Sequence, residues 1–204
     1  MIVLDIETSG MDKVRCGVWQ IGALEFENPK NYFLQEAKID DEDKIINSGK
    51  KPVLEIIGKT EEELRDKKKQ PQKQLLENFF KWIEERRVSM KNFLCQNPQF
   101  DVGFLEMKSD KYGLKIPFHY RVFDLHSIAQ KSYHDLYGEF LIKDEHSDMG
   151  LTSILRFVGM EDNRKVHNAL EDCKLTGECF SRLIYGKNLF PEYAKYDIPK
   201  EIKK

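Results

Sequence analysis

Apolar positions along this chain alternate between short continuous runs and longer stretches with helical spacing, the pattern of a mixed α/β domain. Residues 1–6 form an apolar run with β-branched members, as a buried central strand does. Gly10 and the polar residues through Arg15 predict a turn. Residues 18–26 read as a second strand closed by Asn28-Pro29, and residues 32–39 as a third. This meander fits hairpin connections better than a β-α-β crossover. Thr60, with Glu63 three positions on, has capping-box character and predicts a short helix that ends before Pro71.

Residues 72–87 carry the clearest amphipathic pattern. Leu75, Leu76, Phe79, Phe80 and Ile83 share one face, while Lys73, Glu77, Lys81, Glu84 and Arg87 fill the other. Phe93-Leu94-Cys95 predicts a short buried strand. Asn97-Pro98 has the form of an N-cap followed by proline at the first helical position, which places Asp101 in the first turn of a helix reaching Tyr112, with Gly113 as its stop. Residues 122–123 read as a strand, 124–137 as a helix, 138–150 as a loop and 151–158 as a short helix. The last helix spans residues 168–185, with Leu170, Cys173, Phe180, Leu183 and Ile184 inward and Gly186 as terminator. The expected organisation is one domain over residues 1–186 and a short tail, 187–204, that docks on the domain, meets a partner or frays.

Composition narrows the functional classes. Hydrophobic residues at 40% supply a core, and charged residues at 33% are mixed in sign, so long disorder is not expected. A net charge of −2 argues against a broadly basic nucleic-acid coat, so any nucleic acid must be held locally, by a patch or through cations. Cys16, Cys95, Cys173 and Cys179 contain no C-x-x-C pair and are expected as buried thiols rather than a disulfide framework or zinc knuckle. No apolar stretch approaches the ~20 residues of a membrane span. The chain opens on a strand rather than a signal-like segment, so a reducing, cytoplasmic compartment is the expectation.

The candidate chemistry lies in acidic residues far apart in sequence. Asp5 and Glu7, at i and i+2 of a strand, point to one side and can share one ion. Alone, such a pair also suits a solvated strand end. Asp101 in a helical first turn is equally accounted for by the helix dipole. His167, five residues before Asp172, sits at a helix entrance from which an imidazole can reach a metal-bound water; alone, it suits a surface or capped histidine better than a base. Two other acidic clusters, Asp40 to Asp43 and Asp144 to Asp148 with His146, read as a solvated loop or helix start and as an exposed loop. Lys67 to Lys69, Arg86 and Arg87 read as solvated charge, with phosphate tracking the alternative.

Taken together, Leu4-Asp5-Ile6-Glu7-Thr8-Ser9-Gly10, Asn97-Pro98-Gln99-Phe100-Asp101 and His167-Asn168-Ala169-Leu170-Glu171-Asp172 resemble the motifs of the DEDDh exonucleases, the DnaQ-like group that includes proofreading subunits and RNase T. The likeness spans residues 1 to 186. It implies a ribonuclease H-like fold: a mixed five-stranded sheet, its first three strands antiparallel, flanked by helices. It implies Asp5, Glu7 and Asp172 as ligands of one divalent cation, Mg²⁺ or Mn²⁺, with Asp5 bridging to a second and Asp101 acting near that second ion. His167 falls at the position of the general base, with the H-x-x-x-x-D spacing that separates this branch from the tyrosine-using one. An imidazole, with an ordinary pKa near ~6.5, suits that task.

By the same resemblance Thr8 and Asn97 face the terminal nucleotide, and Met11 and Phe100 wedge or stack against terminal bases, ordinary core packing being the other account of the last two. Many proofreading relatives carry His where this chain has Gln96, and the short tail is expected in place of a long polymerase-tethering extension. The implied activity is metal-dependent 3′→5′ removal of mononucleotides from single-stranded DNA or RNA ends, with a polymerase or repair complex as candidate partner. The alternatives are a catalytically silent module that binds 3′ ends or a partner protein, and an endonuclease on the same fold.

Overall fold

The computed structural model describes residues 1–47, 49 and 51–203. Strand β1 (Ile2–Thr8) pairs antiparallel with β2 (Val18–Glu25), which pairs antiparallel with β3 (Asn28–Glu36). On the other edge of β1 lie β4 (Phe93–Cys95) and β5 (Phe123–Asp124), both parallel, giving the order β3-β2-β1-β4-β5. Two parallel additions require crossovers. These are supplied by α1 (Val53–Ile57), α2 (Glu61–Leu64) and α3 (Gln72–Glu85) before β4, and by α4 (Pro98–Tyr112) before β5. Helices α5 (Leu125–Tyr137), α6 (Leu151–Phe157) and α7 (Ala169–Tyr185) follow.

Strand alternation sorts the core into two layers. Ile2, Leu4 and Ile6 of β1, with Ile21, Ala23, Phe93 and Cys95, pack against α3 and α4. Val3, Leu24 and Leu94 face the opposite way, onto α5, α6 and α7. The odd-numbered positions of β1 therefore look toward α7, which fixes the side on which Asp5 and Glu7 emerge.

Several expectations change in detail. The β2–β3 turn falls at Phe26–Glu27, and Asn28-Pro29 opens β3 instead of closing the hairpin. The edge position of β3 tolerates a proline that cannot donate to the ladder. Helix α1, closed by Gly58 at φ 62°, lies in a segment with no predicted element. The predicted loop 138–150 contains a hairpin, β6 (Ile142–Lys143) and β7 (His146–Ser147), whose turn residues Asp144 and Glu145 have φ of 49° and 64°. The acidic cluster at 40–43 is not wholly solvated: Asp43 is buried, accepting from Gln72 Nε2 and from Lys108 Nζ at 3.1 Å.

The capping box at Thr60 and Glu63 is present. All four cysteines are buried free thiols. The tail docks: Phe190, Ile198 and Ile202 join the α5–α7 layer. No helix among the described residues is long and apolar enough to cross a membrane.

Candidate active site

Three elements deliver the acidic residues to the carboxyl ends of β1 and β4. Alternation along β1 turns Asp5 and Glu7 toward α7, and a register shift between Glu7 and Thr8 ends the regular ladder beside them. Asp101, in the first turn of α4, reaches back to β1, where its Oδ1 accepts the backbone N–H of Ile6 at 3.1 Å. Asp172 comes from the first turn of α7, which Asn168 caps by accepting the Glu171 N–H at 3.2 Å. That helix approaches β2 very closely. A Cβ on Gly22 would meet the Ala169 carbonyl carbon at 2.3 Å, so only glycine lets the first turn of α7 settle there. His167 lies just before the cap, its backbone N–H directed at the Ile56 carbonyl of α1 at 3.4 Å.

The result is one cleft of about 690 Å³, lined by Asp5, Glu7, Asp101, His167 and Asp172 together. Ligand atoms of Glu7, His167 and Asp172 lie within 4.8 Å of one another. His167 Nδ1 is 3.1 Å from Asp172 Oδ2. Thr8, Met11, Asn97 and Phe100 line the same cleft, so the whole expected set converges. Met11 is 60% exposed and open to a ligand. Phe100 is half-buried and packs its ring on Phe104 at 4.9 Å, combining a core contact with a cleft-facing surface. The Thr8 hydroxyl donates to the Gly10 carbonyl at 2.6 Å. Asn97 occupies the N-cap position of α4, but its side chain makes no capping hydrogen bond.

Other residues of the cleft were not legible beforehand. Val53, Ile56 and Ile57 of α1 form an apolar wall, and Lys143, Arg156 and Arg164 bring positive charge. Arg164 donates through Nη1 to Asp172 Oδ2 at 3.0 Å, sharing that oxygen with His167. Its place in a polar loop three residues before His167 offers no periodic signal. Lys67 to Lys69, Arg86 and Arg87 do not line the cleft: Lys69 pairs with Glu36 at 2.6 Å, and Arg86 with Glu85 at 3.5 Å and Glu25 at 3.8 Å.

Burial and mutual repulsion dominate the electrostatics. Desolvation, then the charges of Asp101, Asp172 and Glu7, pushes the Asp5 carboxyl well above its ordinary value. Glu7 is raised to about 8, chiefly by burial, with His167 opposing. Asp101 is raised to about 7, again by burial, against the hydrogen bond from Ile6. His167 is raised above 6.5, mainly by its hydrogen bond with Asp172. Groups that resist ionisation side by side are stabilised in the ionised form by a cation. Two oxygens suit one directly, since Glu7 Oε1 and Asp172 Oδ1 are buried with no hydrogen-bond partner among the described residues. The carboxylate oxygens fit a divalent metal ion, with the His167 imidazole beside them.

The sequence matches the RNase_T family, described as exonuclease, over residues 2–180. It is 24% identical over 184 residues to the PolC-type DNA polymerase III of Caldanaerobacter subterraneus subsp. tengcongensis, covering 90% of this chain and 11% of that far longer protein. The nuclease domain of 3'hExo, a DEDDh family member bound to rAMP, superposes with a TM-score of 0.67 at 16% identity, over 98% of this chain and 95% of that one. The zinc-bound ExoI–ssDNA complex of E. coli gives 0.63 at 15% identity, over 95% and 42%. These superpositions establish a shared fold, the ribonuclease H-like arrangement of a mixed five-stranded sheet whose first three strands run antiparallel. With the match extending from β1 into α7, the chain belongs to the RNase_T family of exonucleases.

Proposed function

We propose that this protein is a divalent-cation-dependent 3′→5′ exonuclease that releases nucleoside monophosphates from single-stranded DNA or RNA ends. The observation that carries the reading is the convergence of four carboxylates and one imidazole, with two buried carboxylate oxygens that have no hydrogen-bond partner among the described residues. Asp5, Glu7 and Asp172, with Asp101 beside them, would hold Mg²⁺ or Mn²⁺. Two such ions, when bound, supply an activated water and stabilise the leaving oxygen of a phosphodiester.

The remaining steps belong to side chains. His167 directs Nδ1 at Asp172, which leaves Nε2 to take the proton of the attacking water. Met11 and Phe100 offer apolar surface to the terminal base, and Thr8 and Asn97 offer polar groups to its sugar and phosphate. The fold relatives bound to rAMP and to single-stranded DNA support a nucleic-acid terminus as substrate. Four buried free thiols support a reducing, cytoplasmic location. Likeness to a segment of a PolC-type polymerase favours one further role, trimming mismatched ends beside a polymerase or repair complex.

The test is degradation of matched 5′-labelled DNA and RNA oligonucleotides with Mn²⁺, with and without chelator. Stepwise shortening that needs the ion and stalls at a blocked 3′ end is expected. No degradation, or equal cutting of the blocked strand, would overturn the reading.

A further inference from the structure

Asp172 must present its carboxylate in one orientation for its bare oxygen to face a cation, yet the last torsion of an aspartate is broad and nearly two-fold. Two donors converge on one of its oxygens. Oδ2 receives Arg164 Nη1 at 3.0 Å and lies 3.1 Å from His167 Nδ1, while Oδ1 stays buried with no partner among the described residues. Arg164 is itself clamped. Its Nε donates to Asp162 Oδ1 at 2.9 Å and its Nη2 to Asp162 Oδ2 at 2.7 Å, a fork-to-fork pair that fixes the guanidinium plane. The Thr152 hydroxyl of α6 donates to Asp162 Oδ2 and accepts from Arg164 Nη2 at 3.2 Å. The side chains of Arg164, Asp162 and Asp172 are 12%, 17% and 5% exposed, so little water competes for these bonds.

We propose that Arg164, held rigid by Asp162 and Thr152, is a positioning residue that sets the Asp172 carboxylate so that its free oxygen faces the cation. The proposal rests on the cation-binding reading above. Charge balance alone does not explain the arrangement, because the paired Asp162 already offsets the guanidinium charge; what Asp162 adds is a fixed plane. Outer partners of this kind, when removed, weaken metal binding about 10- to 100-fold. A simple counter-ion gives the opposite sign: its loss relieves repulsion and tightens binding.

Mn²⁺ affinity of the full chain, titrated by electron paramagnetic resonance of the free ion, separates the two. Circular dichroism first checks that each variant is folded. Arg164→Met is expected to weaken Mn²⁺ binding about tenfold or more. Asp162→Asn should shift it in the same direction, and the double variant should be no worse than Arg164→Met alone. Arg164→Lys should recover little, since an ammonium cannot reproduce the fork. If Arg164→Met does not fold, Arg164→Gln, which also removes the charge and the fork, carries the test. Unchanged or tighter Mn²⁺ binding in the variants would overturn the positioning role while leaving the nuclease reading intact. Failure of the wild-type protein to bind Mn²⁺ would overturn both.

Discussion

Gln20 Oε1 accepts the backbone N–H of Ala169 at 2.8 Å, so a side chain of the central hairpin closes the first turn of α7. The first N–H groups of a helix have no partner within it, and here a strand supplies one. Gln20 is itself fixed by donating to Glu36 Oε1 at 3.1 Å. The same turn of α7 carries Asp172 and follows His167, so the β2–α7 junction governs where two of the five candidate catalytic groups stand.

Gly22, two residues along β2, makes that junction tight enough to test. A Cβ there would sit 2.3 Å from Ala169 C and 2.5 Å from Leu170 N, both backbone atoms that cannot rotate away. Gly22→Ala is expected to destabilise the fold by about 1–3 kcal/mol through overpacking. Nuclease turnover should fall further than in Ile83→Val, a core change of roughly 1 kcal/mol on the opposite face of the sheet. Urea melts and oligonucleotide degradation on the two variants check this. Equal activity in both would mean that the close approach does not place Asp172.

The raised carboxyls set a pH dependence of stability. Glu7 moves from 4.5 to about 8 and Asp101 from 3.8 to about 7. Across that window the folded protein holds more protons than the unfolded chain, so stability falls as pH rises. His167, raised above 6.5, adds a contribution of the same sign: present at low pH and lost as pH climbs through its folded value. In chelator, the melting temperature should drop between about pH 5 and about pH 8, less steeply for Glu7→Gln. Added Mn²⁺ should restore stability at the upper end. A metal-free protein whose stability climbs over this range would contradict the burial argument.

What could be read beforehand follows from which constraints are local. Strand alternation gave Asp5 and Glu7 a common side, Asn97-Pro98 set the start of the helix that carries Asp101, and the five-residue spacing put His167 ahead of Asp172. Arg164 and α1 had no such signal. The α1 segment is five residues long, and its position is set by long-range contacts, Ile56 with His167 and Gly58 against Val166. Asp43 looked solvated because its partners Gln72 and Lys108 are 29 and 65 residues away. Asn97 marked the right boundary although its side chain does not cap it, because the proline after it limits the chain there whatever the asparagine does.

His167 is the group whose removal should separate turnover from metal binding. As the proposed base it would act only when neutral, and its raised pKa places the low-pH limb of kcat/KM above 6.5. His167→Ala is expected to lower kcat by about 10²- to 10⁴-fold while leaving Mn²⁺ affinity within a few-fold. Single-turnover degradation and a Mn²⁺ titration of the same preparation measure both. Full rate near neutral pH in this variant would remove His167 from the role of base.

Arg182 offers a test of the docked tail that leaves the cleft untouched. Its side chain is fully buried, paired with Glu178 Oε1 at 2.8 Å, and donates to the carbonyls of Val158 at 3.0 Å, Tyr193 at 2.9 Å and Tyr196 at 3.1 Å. Glu178 Oε2 in turn accepts the N–H groups of Leu189 at 2.8 Å and Phe190 at 3.0 Å. The pair therefore ties both directions of the tail backbone to α7. Arg182→Met would strand the Glu178 charge and three carbonyls, a loss of about 3–5 kcal/mol. Trypsin should then cut at Lys187 and Lys195 well before the core unfolds, which limited proteolysis with mass spectrometry would show. If the tail resists cleavage equally in both proteins, the apolar burial of Phe190, Ile198 and Ile202 holds it by itself, and the buried ion pair serves α7 and the end of α6.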